Sequence, residues 1–106
     1  MNTFTITVEY LKKMNACKAQ RDIFSDLFPN GFAFPVDPNH IPYTGDLDIG
    51  WAAFHLLNPE ALHTYKDAVA SADTVAYYLY RTVRLEAFCR VVNDWLSRNE
   101  NPFLSE

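Results

Sequence analysis

Three histidines and two cysteines are the side chains of this chain best suited to bind a metal or to act as nucleophiles. His55 and His63 lie near the junction of two predicted helices, and His40 lies in a proline-rich stretch. Zinc sites need three or four ligands at characteristic spacings, and neither an H-E-x-x-H nor a C-x-x-C motif is present. A pairing of Cys17 or Cys89 with His55 or His63 has no local motif to support it. We therefore predict no catalytic residue, no metal site and no cofactor.

Tyrosine and arginine side chains are concentrated on one predicted helix. Tyr77, Tyr78 and Tyr80 stand beside Arg81 and Arg84 in the sequence. These residue types are enriched at the binding hot spots of protein interfaces, although tyrosine rings also pack into cores with the hydroxyl at the surface. We predict these five residues as the partner-binding site of a protein that is not an enzyme.

A second cluster, formed by Lys12, Lys13, Lys18 and Arg21, has no acidic residue between its members. It supports an alternative function, a small nucleic-acid-binding regulator in which these side chains contact phosphates. An ordinary solvated helix face explains the same cluster, and the net charge of -4 opposes wholesale capture of nucleic acid. The 13 acidic residues are scattered, so mimicry of DNA is not predicted either.

The composition is that of one packed domain covering residues 1–106. Apolar residues make up 49% of the chain and aromatic residues 15%. No run approaches the roughly 20 apolar residues of a membrane span, and the N-terminus lacks the features of a signal peptide. Cys17 and Cys89 are predicted to be small buried hydrophobes within amphipathic stretches, as is typical of a reducing compartment. We therefore expect a cytoplasmic protein.

Alternating residues, caps and turn signals divide the first part of the chain, residues 1–31, into short elements. The predicted elements are a strand at 3–6, a helix near 8–14 capped by Thr7, a helix over 16–28 capped by Asn15, and a turn at Pro29-Asn30-Gly31. The proline-rich stretch 32–45 follows, and its aromatic residues Phe32, Phe34 and Tyr43 are predicted to fold back over the core. Residues 32–36 are predicted to pair with the strand at 3–6.

The remaining part of the chain, 46–98, is predicted to be helical, with a frayed tail at 99–106. Asp46 or Asp48 caps one helix, and Asn58-Pro59-Glu60 begins the next. A heptad-like stripe from Leu62 to Val83 indicates one long helix, with a bend or break near 81–86 and a candidate break near Ser71. Four small residues would let another helix approach closely, which supports a further alternative, a self-associating structural protein that forms a homodimer: Ala61, Ala68, Ala72 and Ala76.

Together these elements predict a mainly α fold, a small single-domain bundle of about five helices with a short two-stranded β element. The β element would join the N-terminus to residues 32–36.

Several stretches between about residues 3 and 66 form a recognisable pattern. They are Ile6-Thr7-Val8-Glu9-Tyr10-Leu11-Lys12-Lys13, Ala16-Cys17, Gln20, Phe24, Phe28-Pro29-Asn30-Gly31, Leu47-Asp48-Ile49, Trp51-Ala52-Ala53 and Leu56-Leu57. This pattern resembles small accessory proteins of bacteriophages and prophages. Many such proteins then repeat an eleven-residue A-L-x-x-Y unit, and Ala61-Leu62-His63-Thr64-Tyr65 is similar to one copy. The proline-rich stretch departs from the pattern.

This resemblance implies a setting in the cytosol of a bacterial host. Small accessory proteins of phages often bind a host protein complex and block it, including CRISPR effectors and other anti-phage defence machinery. The resemblance therefore implies an inhibitor that acts by protein–protein interaction, with a host protein or complex as its partner. No membrane partner is expected, because the sequence has no apolar run long enough to span one.

Overall fold

The computed structural model describes residues 3–71 and 77–104, with the backbone alone at 77–80. In chain order its elements are β1 (Phe4–Ile6), α1 (Val8–Lys13), α2 (Lys18–Leu27), β2 (Phe32–Phe34), α3 (Ile49–Leu56), α4 (Pro59–Ser71) and α5 (Tyr77–Ser97). The predicted fold class is confirmed, since five helices surround one core beside a short two-stranded sheet. Within the described residues, no helix is both long enough and apolar enough to cross a bilayer.

The two strands pair as the sequence predicts. They are antiparallel, with Phe4 opposite Phe34 and Ile6 opposite Phe32. Alternation places Ile6, Phe32 and Phe34 in the core, so this hairpin-like pair covers one side of the helices. Gly31 leads into β2 with a φ of +89°, a backbone conformation that other residues rarely adopt.

The first helix begins as predicted, but the second does not. Thr7 caps α1, because its Oγ1 accepts a hydrogen bond from the Tyr10 backbone N–H at 3.1 Å. Asn15 is not the cap of α2. It has a φ of +67° and helps end α1, after which the Ala16 N–H donates to the Leu11 carbonyl. Asparagine suits both positions, and only the path of the chain decides between them.

The caps of the next two helices are confirmed. Asp48 begins α3, and its Oδ1 accepts from the Trp51 N–H at 2.9 Å. Asn58 begins α4, and its Oδ1 accepts from the Ala61 N–H at 2.9 Å. Both helices therefore start at the residues whose side chains satisfy their first backbone donors.

The single long helix predicted across 62–83 is wrong. The Tyr65 and Phe88 rings lie 6.5 Å apart, whereas residues so far apart in sequence would lie more than about 30 Å apart on one helix. Instead α4 ends at Ser71, as the candidate break there suggests, and α4 packs against α5. The break predicted at 81–86 is also wrong, since α5 is continuous there. The apolar stripe predicted for one helix is therefore divided between α4 and α5, which pack against each other.

Two of the four small residues predicted to permit close helix contact lie in the described part of the structure. Ala61 is fully buried and Ala68 is half-buried against the core, within this one chain. Ala72 and Ala76 lie outside the described residues.

The tail predicted to fray is instead part of the core. Pro102 and Phe103 are buried, and the Phe103 ring stacks on Phe4 with centroids 4.2 Å apart. Two backbone hydrogen bonds fasten the tail to the end of α3: the Asn58 N–H donates to Pro102, and the Leu104 N–H donates to Leu56, each at 2.7 Å. The polar residues 97–101 conceal this return, because the apolar signal after them is only a few residues long.

The proline-rich stretch crosses the surface of α5 and is anchored to it. Asn93 on α5 accepts a hydrogen bond from the Val36 N–H at 2.8 Å and donates to the Val36 carbonyl at 2.7 Å. Phe32 and Phe34 fold over the core as predicted, but Tyr43 does not, since 80% of it is exposed.

Candidate partner-binding face

Arg81 and Arg84 lie one turn apart on α5 and therefore project from the same side of the helix. The Arg81 guanidinium reaches the loop before α3, where its Nη1 lies 3.2 Å from both the Gly45 carbonyl and Asp46 Oδ1. Asp46 thus pairs with Arg81 and is not the helix cap that the sequence offered as one alternative. This contact holds the exposed Arg81 side chain in place against the loop.

Arg84 is half-buried and packs against the first turn of α3. A Cβ atom placed on Gly50 would lie 3.1 Å from Arg84 Nη1 and 3.7 Å from its Cζ. Because Gly50 has no side chain, the guanidinium can lie directly against the backbone of α3, and an alanine there would displace it slightly. Arg84 also lines an open cleft between α3 and α4, together with Phe54, Lys66 and Val69.

Two large aromatic side chains are exposed on either side of these arginines. Tyr43 lines the cleft that Arg81 borders, and Phe54 lines the cleft that Arg84 borders. Phe54 is 53% exposed, and the Lys66 ammonium lies 4.9 Å from the centre of its ring, a cation–π contact. We call these five residues, Tyr43, Phe54, Lys66, Arg81 and Arg84, the Arg81–Arg84 face.

The predicted partner-binding residues are therefore only partly placed. Arg81 and Arg84 stand together on the Arg81–Arg84 face. Tyr77, Tyr78 and Tyr80 begin the same helix, but their side chains lie outside the described part of the structure.

Sequence reasoning missed Tyr43 and Phe54. The exposure of Phe54 could have been predicted from the sequence. Ala53 and Leu56 mark the buried side of α3, and the helical period turns Phe54 away from that side. A large apolar residue outside the stripe of an amphipathic helix marks a candidate contact. Tyr43 has no such signal, since exposure within an irregular loop is decided by the path of the backbone.

The basic cluster that supports the nucleic-acid alternative is divided between two helices. Lys12 and Lys13 lie in the last turn of α1, and Lys18 lies in the first turn of α2. Lys18 Nζ is paired with Asp22 Oδ2 at 2.8 Å, so a phosphate would have to compete with that carboxylate. Arg21 is half-buried, and its Nε is enclosed without a hydrogen-bond partner among the described atoms.

The histidines lie at three separate surface positions. Their neighbours are Asp37 Oδ2 at 2.9 Å from His40 Nδ1, the Trp51 ring stacked on His55 at 4.7 Å, and Asp67 Oδ2 at 3.4 Å from His63 Nε2. Across residues 3–71 and 77–104, no three His, Cys, Asp or Glu side chains are grouped so that they could hold a metal ion.

The two cysteines differ in burial, and this corrects one expectation. Cys89 is buried in the core as predicted, but Cys17 is exposed at the start of α2. Burial raises the pKa of the Cys89 thiol to about 12. A Cys89–histidine pair is not formed with His55 or His63, which are both exposed.

We expect thiol labelling to separate these two cysteines. At pH 8 the native protein should react with one equivalent of iodoacetamide, at Cys17, because a thiol with a pKa of about 12 is almost entirely protonated and Cys89 is also sterically enclosed. In denaturant two equivalents should react. Mass spectrometry of the labelled peptides gives the answer, and rapid native labelling of Cys89 would contradict the described core.

Residues distant in sequence thus build the Arg81–Arg84 face. The loop before α3 contributes Tyr43, the helices α3 and α4 contribute Phe54 and Lys66, and α5 contributes both arginines. Comparisons of the chain with protein-family models, with curated proteins and with solved structures find no match.

Proposed function

We propose that this protein is a non-enzymatic, phage- or prophage-derived interaction protein that binds and inhibits a host macromolecular machine. A CRISPR effector or another anti-phage defence complex is the kind of target proposed. The observation that supports the proposal is the Arg81–Arg84 face, where two exposed aromatic rings flank two arginines. In this proposal the residues of the face inhibit the target by binding it, without catalysis.

The composition and setting of this face suit protein recognition. Aromatic and arginine side chains dominate binding hot spots, because each can bury a large area while keeping a polar group available. A large exposed aromatic ring gives up favourable burial, and Phe54 and Tyr43 would recover it against a partner. Arg81 contacts Gly45 and Asp46, and because both partners of this ion pair are mostly exposed, a carboxylate of a binding partner can compete for the guanidinium.

The test is protection of a phage in bacteria that carry an active defence system directed against it. Expression of the wild-type protein should restore phage plating, and the purified protein should capture a component of that system. The variant with Tyr43→Ala, Phe54→Ala and Arg84→Ala together should lower affinity for the captured component at least 100-fold, since hot-spot truncations each cost about 2 kcal/mol or more.

A matched control comes from the basic cluster. Substituting Lys12 and Lys18 by Ala removes two exposed cations that do not belong to the Arg81–Arg84 face and should leave binding and plating unchanged. Circular dichroism and thermal unfolding must show that both variants fold. Unchanged affinity in the folded triple variant would remove this face from the proposal, whereas loss only in the lysine variant would favour the nucleic-acid alternative.

A further inference from the structure

The core holds an apolar cavity of about 70 Å³ between the N-terminal helices and α5. Its wall comes from most elements of the fold. Leu11 and Phe24 contribute from α1 and α2, Leu56 from α3, and Leu85 and Phe88 from α5. Almost all of the surface that faces the cavity is apolar, so water finds few hydrogen-bond partners there and the cavity suits apolar guests.

The polar side chains of this lining lie on one side. They are Gln20 on α2 and Thr44 and Asp48 in the loop before α3. The Gln20 side chain clasps the loop through two hydrogen bonds, because its Oε1 accepts from the Asp48 N–H at 2.8 Å and its Nε2 donates to the Asp46 carbonyl at 3.3 Å. Residues 44–48 therefore form a strap over that side of the cavity, and the side-chain amide of Gln20 holds the strap to α2.

Besides the two hydrogen bonds of Gln20, this strap is held by Arg81, which reaches Gly45 and Asp46 from α5. Leu47 is half-buried against the core, and Asp48 caps α3. The strap belongs to no helix or strand, whereas the opposite walls are helices and a paired strand. Local opening free energies are lowest where regular backbone pairing is missing, so this side is the entry route.

We infer that the cavity is a binding site for a small apolar ligand, smaller than benzene and of about the size of a xenon atom, which enters when the strap at 44–48 opens. An apolar cavity of about 150 Å³ in another protein holds benzene or xenon, so about 70 Å³ sets a smaller upper size for the guest. Dispersion contacts with the Phe88 and Leu56 side chains would provide the affinity. This inference does not depend on the proposed function, because no residue of the Arg81–Arg84 face lines the cavity and Arg81 contacts only the outer strap.

The experiment uses xenon as the probe and methyl spectra of the full chain as the readout. Under increasing xenon pressure, the methyl signals of Ile6, Leu11, Leu56 and Leu85 should shift and reach saturation. The methyl signals of Val69, which lies outside the cavity, should show only the small linear drift of non-specific contact. A linear, unsaturated response at all methyl groups would overturn the inference.

Two variants that fill the cavity keep the test independent of any one substitution. Ala52→Leu and Ala16→Val each place extra carbon atoms in the lining, and whichever variant folds should lose the saturable shift. Saturable shifts of wild-type size in the folded filled variants would place xenon elsewhere and overturn the assignment.

The role of Gln20 in holding the strap closed is tested by Gln20→Ala. Loss of its two hydrogen bonds to the strap should raise the rate of xenon entry and release about tenfold or more while the methyl groups that shift stay the same. An unchanged exchange rate would show that the ligand enters by a route other than the strap.

Discussion

Replacing Phe103 by Ala should lower the free energy of unfolding by about 3–5 kcal/mol, a large fraction of the roughly 5–15 kcal/mol typical of a domain. The ring is only 4% exposed and stacks on Phe4. It also meets Tyr10, Phe34 and Phe88, with centroids 6.1 to 6.3 Å away. Its loss would leave a cavity where α1, the sheet and α5 converge. Urea unfolding followed by circular dichroism measures the change in the unfolding midpoint.

The neighbouring Leu104 supplies the control for this prediction. Leu104 is 36% exposed, so Leu104→Ala should cost about 1 kcal/mol or less while keeping its backbone bond to Leu56. A Phe103→Ala protein as stable as Leu104→Ala would mean that the tail does not close the core. The comparison also separates side-chain packing from the backbone bonds of the tail, which both variants retain.

Replacing Gly31 by Ala should destabilise the protein by about 2–4 kcal/mol, because positive-φ strain and overpacking add at one position. A Cβ atom there would lie 2.7 Å from Thr5 Cγ2 and 2.8 Å from the Ile6 carbonyl oxygen. The second contact is with backbone, so it cannot be relieved by a side-chain rotation. The two strands would have to separate, and thermal unfolding should show a midpoint lower by about 10–20 °C.

Gly50→Ala is the matched control for Gly31→Ala. Gly50 lies inside α3 with ordinary helical backbone. The new Cβ would press on the movable end of Arg84 at 3.1 Å and would lie in ordinary contact with Asp48 Oδ1 at 3.4 Å. Helix propensity favours alanine over glycine by up to about 1 kcal/mol, so the stability should be unchanged or slightly higher. Equal destabilisation by both substitutions would contradict the strain assigned to Gly31.

Some residues of the Arg81–Arg84 face could be predicted from the sequence, and others could not. Arg81 and Arg84 could be chosen from the sequence, because one helical turn separates them and interface composition favours arginine. Their companions Tyr43 and Phe54 could not, since these residues meet the arginines only after the loop and α3 fold against α5. Contacts between residues far apart in the sequence cannot be inferred from the hydrophobic periodicity of a single chain.

Local chemistry in the sequence determined where most elements begin. Thr7, Asp48 and Asn58 cap their helices because each side-chain oxygen satisfies a backbone donor three residues ahead. The alternation of apolar residues in two short segments likewise predicted the strand pair that the structure contains.

Tertiary structure alone decided how the elements share the core. The apolar stripe after Leu62 is compatible with one long helix or with two packed helices, and the contact between Tyr65 and Phe88 selects the second. The short apolar tail becomes core only because Phe103 finds a ring cluster built from distant parts of the chain. Periodicity reports which side of a helix is apolar, but burial depends on what the completed fold brings against it.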